Sequence, residues 1–384
     1  MPRDLALVAF SLFTWGIGEG MFIYFQPLTL QKWGANPVEI GVILSGVGIG
    51  MAVAQAPAGY LADRVGARPV MWSAWVLGFL ATGLMAVARS LPIFAAGLIL
   101  YAITAFVNAP MYSYIIAMRD GWSVERSITI VTAMMHLGSM AGPILGGMIA
   151  DAAGLQAVYP IAAGIFFLST AIVFLIRQPP AQVHHAALVR PSHLLTNPRF
   201  MGLLVMIFLT MFTLYLPQPL NAIYLQNERH LSIKTIGILG SVASLSNALV
   251  MLAFGGLRAP VALIAGQGLV AMFSLLMWRG TSQPEFIIGF LFLGGYRLCR
   301  SMNIAYARSM IHSEAVGLAF GLVETVSSVS VILAPLLAGF LYARNPQSVY
   351  IVSLGAIGVM MLVHFLIMSV TRRPVRNAAP ADPE

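Results

Sequence analysis

The chain carries a few ionisable residues inside stretches that are otherwise apolar. Glu19 lies near the middle of TWGIGEGMFIYFQP, residues 14–27, and YRLCRSMN places Arg297 and Arg300 three positions apart. Glu324 lies in the apolar stretch that follows. A carboxylate can take up and release a proton, whereas an arginine keeps its charge. Such groups within apolar segments are costly and usually functional, so they predict handling of protons or charged solutes.

Other kinds of chemistry lack their residues in this sequence. The only lysines, Lys32 and Lys234, lie outside any G-x-x-x-x-G-K-S/T motif, so no nucleotide-binding loop is predicted. No H-E-x-x-H or G-x-S-x-G motif occurs, and Cys299 is the single cysteine. His184 and His185 are adjacent, but no cysteine or carboxylate lies near them to complete a metal site. We therefore expect no enzyme activity, no cofactor and no metal.

The composition indicates which solvent surrounds these residues. Apolar residues make up 59% of the 384, charged residues make up 9%, and the mean hydropathy is +0.86. Soluble domains average roughly 45–50% apolar and about 25% charged residues. Apolar runs of about 20 residues cross a bilayer as helices, and the runs here are too long and uniform for barrel strands. The fold class is therefore an all-α membrane protein.

Charged or proline-rich breaks divide the chain into twelve predicted transmembrane helices, called spans 1 to 12. The first is kept as a span rather than a secretion signal, because its apolar stretch is too long and no cleavage site follows. The predicted spans cover residues 5–30, 38–60, 69–88, 92–117, 127–151, 155–176, 200–226, 233–256, 260–278, 284–307, 315–343 and 347–370.

The basic residues predict the orientation. With both termini on one side, thirteen lysines and arginines lie on that side and six on the other, and Arg297 and Arg300 lie within a span. The positive-inside rule then places both termini in the cytoplasm and the protein in the cytoplasmic membrane. The same bias explains the net charge of +8 without a nucleic-acid partner, because the basic residues are spread over loops.

The chain divides into two similar halves. The polar segment 177–199 separates a six-helix bundle at 1–176 from another at 200–372, and residues 373–384 are expected to form a disordered cytoplasmic tail. The sequence QPL recurs at 26–28 and 218–220, and GPILGGM at 142–148 is similar to APLLAGF at 334–340. Internal duplication of this kind is common in secondary transporters, whose solute site lies between the repeats near the midplane.

Two motifs make a family resemblance specific. The sequence GYLADRVGARP after span 2 resembles the loop signature G-x-L-A-D-R-x-G-R/K-R/K of the major facilitator superfamily, except that Ala67 replaces a basic residue. The sequence GSMAGPILGGM in span 5 matches the superfamily element G-x-x-x-G-P-x-x-G-G. The resemblance covers roughly residues 5–372 and implies two pseudo-symmetric six-helix bundles.

The two motifs have different expected roles. The resemblance implies that the loop after span 2 latches the halves on the cytoplasmic side; ordinary positive-inside charge is the alternative. Its candidate gate residues are Gly59, Asp63, Arg64, Gly66 and Arg68. In span 5 the four-residue spacing puts small residues on one helix face for close packing, and a direct transport role stays open. That element comprises Gly138, Gly142, Pro143, Gly146 and Gly147.

Depth in the membrane suggests how the intramembrane charges pair. Glu19 lies within about 2 Å of the centre of span 1, on a face with Trp15 and Gln26. Arg300 and Glu324 lie at similar depths, so they can pair and leave Arg297 for a solute or for Glu19. Arg297 and Glu19 are assigned to the proton or solute path, whereas Glu324 is either structural or a proton site. His136 and His364 are expected to be structural. Further residues that could line the path are Asn108, Tyr112, Tyr114, Thr210, Thr213, Gln218 and Asn221.

These observations predict a secondary active transporter of a small organic solute that works by alternating access and is coupled to protons. The span 5 motif favours antiport and export, whereas span 4 lacks the arginine that drug antiporters of the superfamily carry. A proton symporter or uniporter of an anionic or sugar-like solute is the alternative. A receptor or assembly factor without flux is the alternative of another class. The expected partners are the solute, protons and the lipid bilayer, with the protein a monomer.

Overall fold

The computed structural model describes residues 1–179, 197–309 and 316–371; within them, no side chains are described for 56–63, 199, 308–309, 316–318 and 369–371. Most of the predicted linker, with His184 and His185, and the predicted tail lie outside the described residues. Every element of the described ranges is helical. The all-α prediction is therefore confirmed.

The first half contains eight α-helices and two short 3₁₀ turns. They are α1 (Arg3–Ile23), α2 (Gln26–Lys32), α3 (Pro37–Val65), α4 (Ala67–Val87), α5 (Leu91–Ile103), a 3₁₀ turn (Thr104–Val107), α6 (Asn108–Ala117), α7 (Val124–Ala153), a second 3₁₀ turn (Leu155–Ala157) and α8 (Val158–Val173). The second half contains α9 (Pro198–Tyr215), α10 (Asn221–Asn227), α11 (Ile233–Phe254), α12 (Ala259–Arg279), α13 (Gln283–Phe292), α14 (Gly295–Ser309), α15 (Val316–Arg344) and α16 (Ser348–Thr371).

These helices account for the twelve predicted spans. Within the described ranges, ten helical segments are long and apolar enough to cross a membrane. Span 7 is the shorter apolar helix Phe200–Tyr215 followed by α10, and span 10 is divided between α13 and α14. Both spans are interrupted, and α14, the second part of span 10, is also polar, since it carries Arg297 and Arg300.

Four spans, namely 1, 4, 7 and 10, are broken rather than continuous. Span 1 breaks before Gln26, span 4 passes through the turn Thr104–Val107, and span 7 breaks at residues 216–220. The repeated QPL sequence lies at the breaks of spans 1 and 7, where proline lacks the N–H that a continuing helix would need. In span 10, Gly294 donates its backbone N–H to the Ser246 hydroxyl at 3.0 Å, which satisfies one group that the break frees.

The halves are joined mainly at one side of the molecule. We call the side with Arg3 and Arg177 the terminal side, since the Asp4 carboxylate accepts a hydrogen bond from the Arg177 backbone N–H at 2.9 Å. On the opposite side α2 packs on α10, and two helix pairs, α3 with α15 and α7 with α11, cross between the halves.

Glycines permit those two crossings. A Cβ on Gly237 would lie 3.0 Å from the Cα of Gly147, and a Cβ on Gly41 would lie 3.4 Å from the Cα of Gly339. Both contacts lie near the helix ends of the opposite side. One apolar core therefore runs across both halves there, whereas a second core, which includes Phe200, Leu203 and Val323, belongs to the second half alone. The halves thus part toward the terminal side.

Candidate functional site

A cavity of about 700 Å³ lies between the two halves. Its volume is in the range of pockets that bind small organic molecules, which is roughly 300–1,000 Å³. All four broken spans contribute to its wall. The polar residues on the wall are Glu19, Tyr24, Gln26, Tyr101, Thr104, Asn108, His136, Ser139, Tyr215, Gln218, Asn221, Ser244, Asn247, Tyr296, Arg297 and Arg300.

Glu19 is held on the cavity wall by the packing of α1. Gly16 and Gly20 face α7 so closely that a Cβ on Gly20 would lie 3.0 Å from the Cα of Gly142. With that face against α7, the predicted face carrying Trp15, Glu19 and Gln26 lines the cavity. Glu19 is the only carboxylate on the cavity wall within the described ranges.

Tyr101 is the polar neighbour of Glu19. The two side chains interact directly, and the Trp15 side chain also lies close enough to interact with the Tyr101 hydroxyl, although neither contact reaches full hydrogen-bond geometry. The Tyr101 ring is 8% exposed. Because an unpaired buried hydroxyl is unfavourable, this arrangement suits a carboxylate that accepts the hydroxyl in one state of the site and a proton in another.

A rigid aromatic platform supports this corner of the cavity. The rings of Trp15 and Tyr101 stack with centroids 6.0 Å apart, and those of Trp15 and Trp75 lie 5.1 Å apart. The Trp75 indole N–H lies 2.7 Å from the Ser11 hydroxyl and 3.0 Å from the Ser169 hydroxyl. Hydrogen bonds and tight packing fix the rings, so they provide a preformed apolar surface beside Glu19.

Arg297 carries the unpaired charge on the other half. It lies on α14, its side chain is exposed to the cavity, and it forms no ion pair with any described carboxylate. Tyr24, His136 and Tyr296 are close enough to interact with it electrostatically. The predicted alternative, a direct pair with Glu19, is not formed in this structure.

Arg300, one turn further along α14, has a partner. It forms an ion pair with Glu324 of α15, and the two side chains are 39% and 40% exposed. Glu324 is not on the cavity wall, whereas Arg300 is. The pair inferred from depth is therefore present; whether it also handles protons stays a prediction.

The structure brings most of the other predicted path residues together but not all. Gln26, Asn108, Gln218 and Asn221 line the cavity. Asn108 and Met111 of α6 line the cavity, whereas Tyr112, which is 39% exposed, is not among the lining residues. Its place in a solute path stays a prediction.

Three further polar residues that could have lined the cavity are buried in helix packing. The Tyr114 hydroxyl donates to the Arg177 carbonyl at 2.8 Å. The Thr213 hydroxyl donates to the Thr210 carbonyl at 3.0 Å. The Thr210 hydroxyl is buried without a hydrogen-bond partner in the described part of the chain, and none of the three residues lines the cavity.

The predicted gate is described only in part. Gly66, between α3 and α4, has φ of +88°, a conformation that favours glycine. Arg64 ends α3, and the Arg68 guanidinium lies 4.0 Å above the Trp72 ring. The Asp63 side chain and the surroundings of Gly59 lie outside what the structure describes, so the latch stays a prediction.

The span 5 motif is a packing element for two neighbours. A Cβ on Gly138, Gly142 or Gly146 would meet the backbone of α1, and Gly147 faces α11 instead. Pro143 also lies in the α11 contact, next to Gly237 and Gly240. These contacts show that the residues of the span 5 motif take part in close helix packing in this structure.

His136 was expected to be structural, and the structure places it on the cavity wall. No hydrogen bond to its ring is found in the described ranges, so its role stays open. His364 meets the expectation, since its Nδ1 lies 3.1 Å from the Gln267 amide and 2.9 Å from the Met360 carbonyl. Ser139 at i+3 from His136 was the available signal, because two polar residues there share one helix face.

Comparison with known proteins agrees with this architecture. Residues 8–260 and 203–384 match the model of the Major Facilitator Superfamily. The quinolone resistance protein NorA of Staphylococcus aureus (strain COL) is 22% identical over 366 residues, which cover 92% of this chain and 94% of NorA. An uncharacterised MFS-type transporter of Methanocaldococcus jannaschii, MJ1560, is 26% identical over 161 residues, 41% of each chain.

Solved structures share the fold at low identity. The nucleoside transporter NupG superposes with a TM-score of 0.81 at 13% identity, covering 95% of this chain and 99% of NupG. The human organic anion transporter MFSD10 (TETRAN) gives a TM-score of 0.65 at 15% identity, covering 94% of this chain and 99% of that protein. Family and fold together indicate a transporter rather than an enzyme.

Proposed function

Because the chain belongs to the major facilitator superfamily, we propose that it is a secondary active transporter that exchanges a small organic solute for protons at Glu19. The observation that carries the proposal is the placement of this carboxylate. It lies on the wall of the central cavity, interacts with the Tyr101 hydroxyl, and has no ion-pair partner among the described residues.

The exchange follows from the cost of an unpaired charge in apolar surroundings. An ionised Glu19 beside Trp15 and Tyr101 needs a compensating group, which a solute donor or a proton can supply but not both at once. Proton binding therefore displaces the solute, and solute binding displaces the proton. Coupled to movement of the halves, that competition is antiport.

The lean toward export has two supports. The span 5 sequence matches the element that antiporters of the superfamily carry, and NorA, to which 92% of this chain aligns, is named for resistance to quinolones. A proton gradient supplies about 2.3 kcal/mol per charge per 100 mV, so no nucleotide site is needed. We further propose that the protein acts as a monomer in the cytoplasmic membrane, with both termini in the cytoplasm.

Symport or uniport of an anionic solute is a second candidate. The observation that favours it is Arg297, a cation exposed to the cavity without an ion pair to any described carboxylate. The candidates differ in coupling: an imposed proton gradient drives the solute against the proton flow in antiport, with the proton flow in symport, and not at all in uniport.

The test is a panel of organic solutes in proteoliposomes, with and without an imposed pH gradient. We expect at least one solute to move against the proton flux. In Glu19→Gln this gradient-driven flux is lost, while solute exchange without a gradient continues, because glutamine retains the polar contact but cannot ionise. Gradient-driven flux at the wild-type rate in Glu19→Gln would contradict the proposal. Arg126→Ala, which removes an exposed charge stacked on Trp122, serves as the control.

A further inference from the structure

Toward the terminal side, the crossing of α7 and α11 is followed by two pairs of polar residues. The two helices are antiparallel and meet at Gly147 with Gly237, and next at Pro143 with Gly240. In the same register, one further turn brings Ser139 level with Ser244, and another brings His136 level with Asn247. All four of these polar residues line the cavity. We call them the polar seam.

The second crossing shows that the fold itself does not require polar residues at these positions. Gly339 and Gly41 make the contact that corresponds to Gly147 and Gly237, at offsets of 192 and 196 residues along the chain. The same offsets relate the polar seam to the residues Val331, Ser328, Gly48 and Met51. Three of them, Val331, Gly48 and Met51, line the cavity without any charge or hydrogen-bonding side chain. We therefore infer that the polar seam interacts with whatever the cavity binds rather than with the neighbouring helices.

Arg297 faces the polar seam. It interacts electrostatically with His136 of α7 and with Tyr24 of α1, and Tyr24 in turn lies beside the Ser244 hydroxyl. The seam itself contains hydroxyl, amide and imidazole groups and no carboxylate. Glu19, the carboxylate described on the cavity wall, interacts with Tyr101 instead. An arginine that forms no ion pair with any described carboxylate, beside hydroxyl and imidazole groups that can donate hydrogen bonds, provides the chemistry that binds an acidic group.

We propose that the polar seam and Arg297 form the subsite for an acidic group, so that the transported solute is an amphoteric aromatic compound. Its carboxylate binds Arg297 together with Asn247 and His136. Its ring lies on the platform of Trp15 and Tyr101, and its basic group takes the place of the proton at Glu19. This inference rests on the proposed function, because it names the class of solute that competes with the proton at Glu19.

The arrangement also gives the acidic group contacts to both halves. His136 belongs to the first half, whereas Asn247 and Arg297 belong to the second. A bound carboxylate thus draws together, on the terminal side of the glycine contacts, two helix surfaces that otherwise separate there. Occupancy of this subsite would favour closure of the terminal side.

The test compares two probes that differ only in the acidic group. Para-piperazinyl benzoic acid and para-piperazinyl benzamide share the ring and the basic amine. Binding is measured by quenching of tryptophan fluorescence, since Trp15 and Trp75 line the cavity. The full-length protein is held in discs of phosphatidylcholine, so that no anionic headgroup competes. We expect the acid to bind at least about tenfold more tightly than the amide, or about 1.4 kcal/mol.

Variants locate the preference. Arg297→Gln and Asn247→Leu should each reduce the ratio of acid to amide affinity several-fold, while Arg297→Lys retains part of it. Ser328→Ala, at the position of the second crossing that corresponds to His136, should leave the ratio unchanged. Each variant is first checked for a monodisperse peak in size exclusion, and Arg297→Lys and Asn247→Leu keep the test valid if Arg297→Gln fails to fold.

Three outcomes would overturn the inference. In the first, the wild-type protein binds acid and amide equally. In the second, the preference survives unchanged in both Arg297→Lys and Asn247→Leu. In the third, adding phosphatidylglycerol to the discs abolishes the preference, which assigns the subsite to a lipid phosphate. If the protein prefers the acid but shows no gradient-driven flux, the subsite is supported and the proposed function is contradicted. If it shows gradient-driven flux but no preference for the acid, the proposed function is supported and the subsite is contradicted.

Discussion

At the scale of single residues, three intramembrane charges have three different environments. Glu19 has a tyrosine hydroxyl beside it, Arg297 forms no ion pair with any carboxylate that the structure describes, and Arg300 has a carboxylate partner. A paired charge resists a change of state, because losing one partner exposes the other. An unpaired charge is available to a ligand. Glu19 and Arg297, for which no ion pair is found among the described residues, line the same cavity from different halves. This arrangement suits a solute that contacts both halves.

The Arg300–Glu324 pair can be tested by a double-mutant cycle. Arg300→Ala and Glu324→Ala should each lower the thermal midpoint of the purified protein, because each leaves one charge without its partner. The double variant should be more stable than the sum of the two predicts, with a coupling energy of about 0.5–3 kcal/mol. Strictly additive effects would argue against the pair, and Arg126→Ala gives the baseline for losing an exposed arginine.

At the scale of elements, the broken spans explain how the cavity obtains its polar wall. A continuous apolar helix presents only side chains, whereas a break also presents backbone groups. The two QPL sequences place Gln26 and Gln218 at equivalent breaks, and both side chains line the cavity. Ser246 satisfies the break of span 10 from a neighbouring helix, with a hydrogen bond of 2.5 Å from its hydroxyl to the Leu291 carbonyl.

The packing of α1 on α7 depends on glycines, which gives a prediction at this scale. Gly142→Leu should prevent the close approach of the two backbones, since a Cβ there would already lie 2.6 Å from the Cα of Gly20. We expect a loss of at least about 1–3 kcal/mol, seen as a lower thermal midpoint and reduced expression. Gly164→Leu on α8, where no atom lies within 4 Å of the added Cβ, is the matched control. Equal behaviour of the two variants would show that the contact does not limit stability.

At the scale of the whole molecule, the proposed function makes this structure one end of an alternating-access cycle. The shared core and the two glycine crossings hold the halves together on the opposite side, and the cavity lies below them toward the terminal side. Transport requires the opposite arrangement as well, in which these crossings loosen. The predicted gate residues Asp63, Arg64 and Arg68 follow or end α3 on the terminal side, where the second arrangement would have to close.

A cross-link at one crossing should therefore stop transport without stopping binding. The Ser45 hydroxyl donates to the Ile332 carbonyl at 2.6 Å, so the two helices are in contact there. Ser45→Cys with Ile332→Cys, in a background where the buried Cys299 is replaced by alanine, should form a link under oxidation.

We expect the linked protein to bind solute from the terminal side but to show no flux in proteoliposomes, with flux restored by a reductant. The two single cysteine variants, treated with the same oxidant, are the controls. Flux that continues at the full rate in the linked protein would mean that this crossing need not open.

Much of the molecule could be predicted from local patterns, and the exceptions have a common cause. Hydropathy marked the spans, and the repeat marked the halves, because each of these properties belongs to a continuous segment. The face of span 1 with Trp15, Glu19 and Gln26 was also predictable from helical spacing. The positions of Tyr112 and His136 relative to the cavity were not, since the orientation of α6 and α7 about their axes depends on contacts with distant helices.

The sequence by itself determined the solvent of the protein, its helical class, its duplicated plan and the small number of charges that must have a purpose. The Arg300–Glu324 pair was predicted from depth along the spans, and the tertiary structure contains it. Only the tertiary structure decided that Glu19 and Arg297 do not meet and that the polar seam lines the same cavity as Arg297. The physical reason is that contact between side chains of different halves depends on the rotation and crossing of helices that are distant in sequence. Glycines set part of that geometry, because they let α1 pack closely on α7 and let the halves meet at the crossings of α3 with α15 and of α7 with α11.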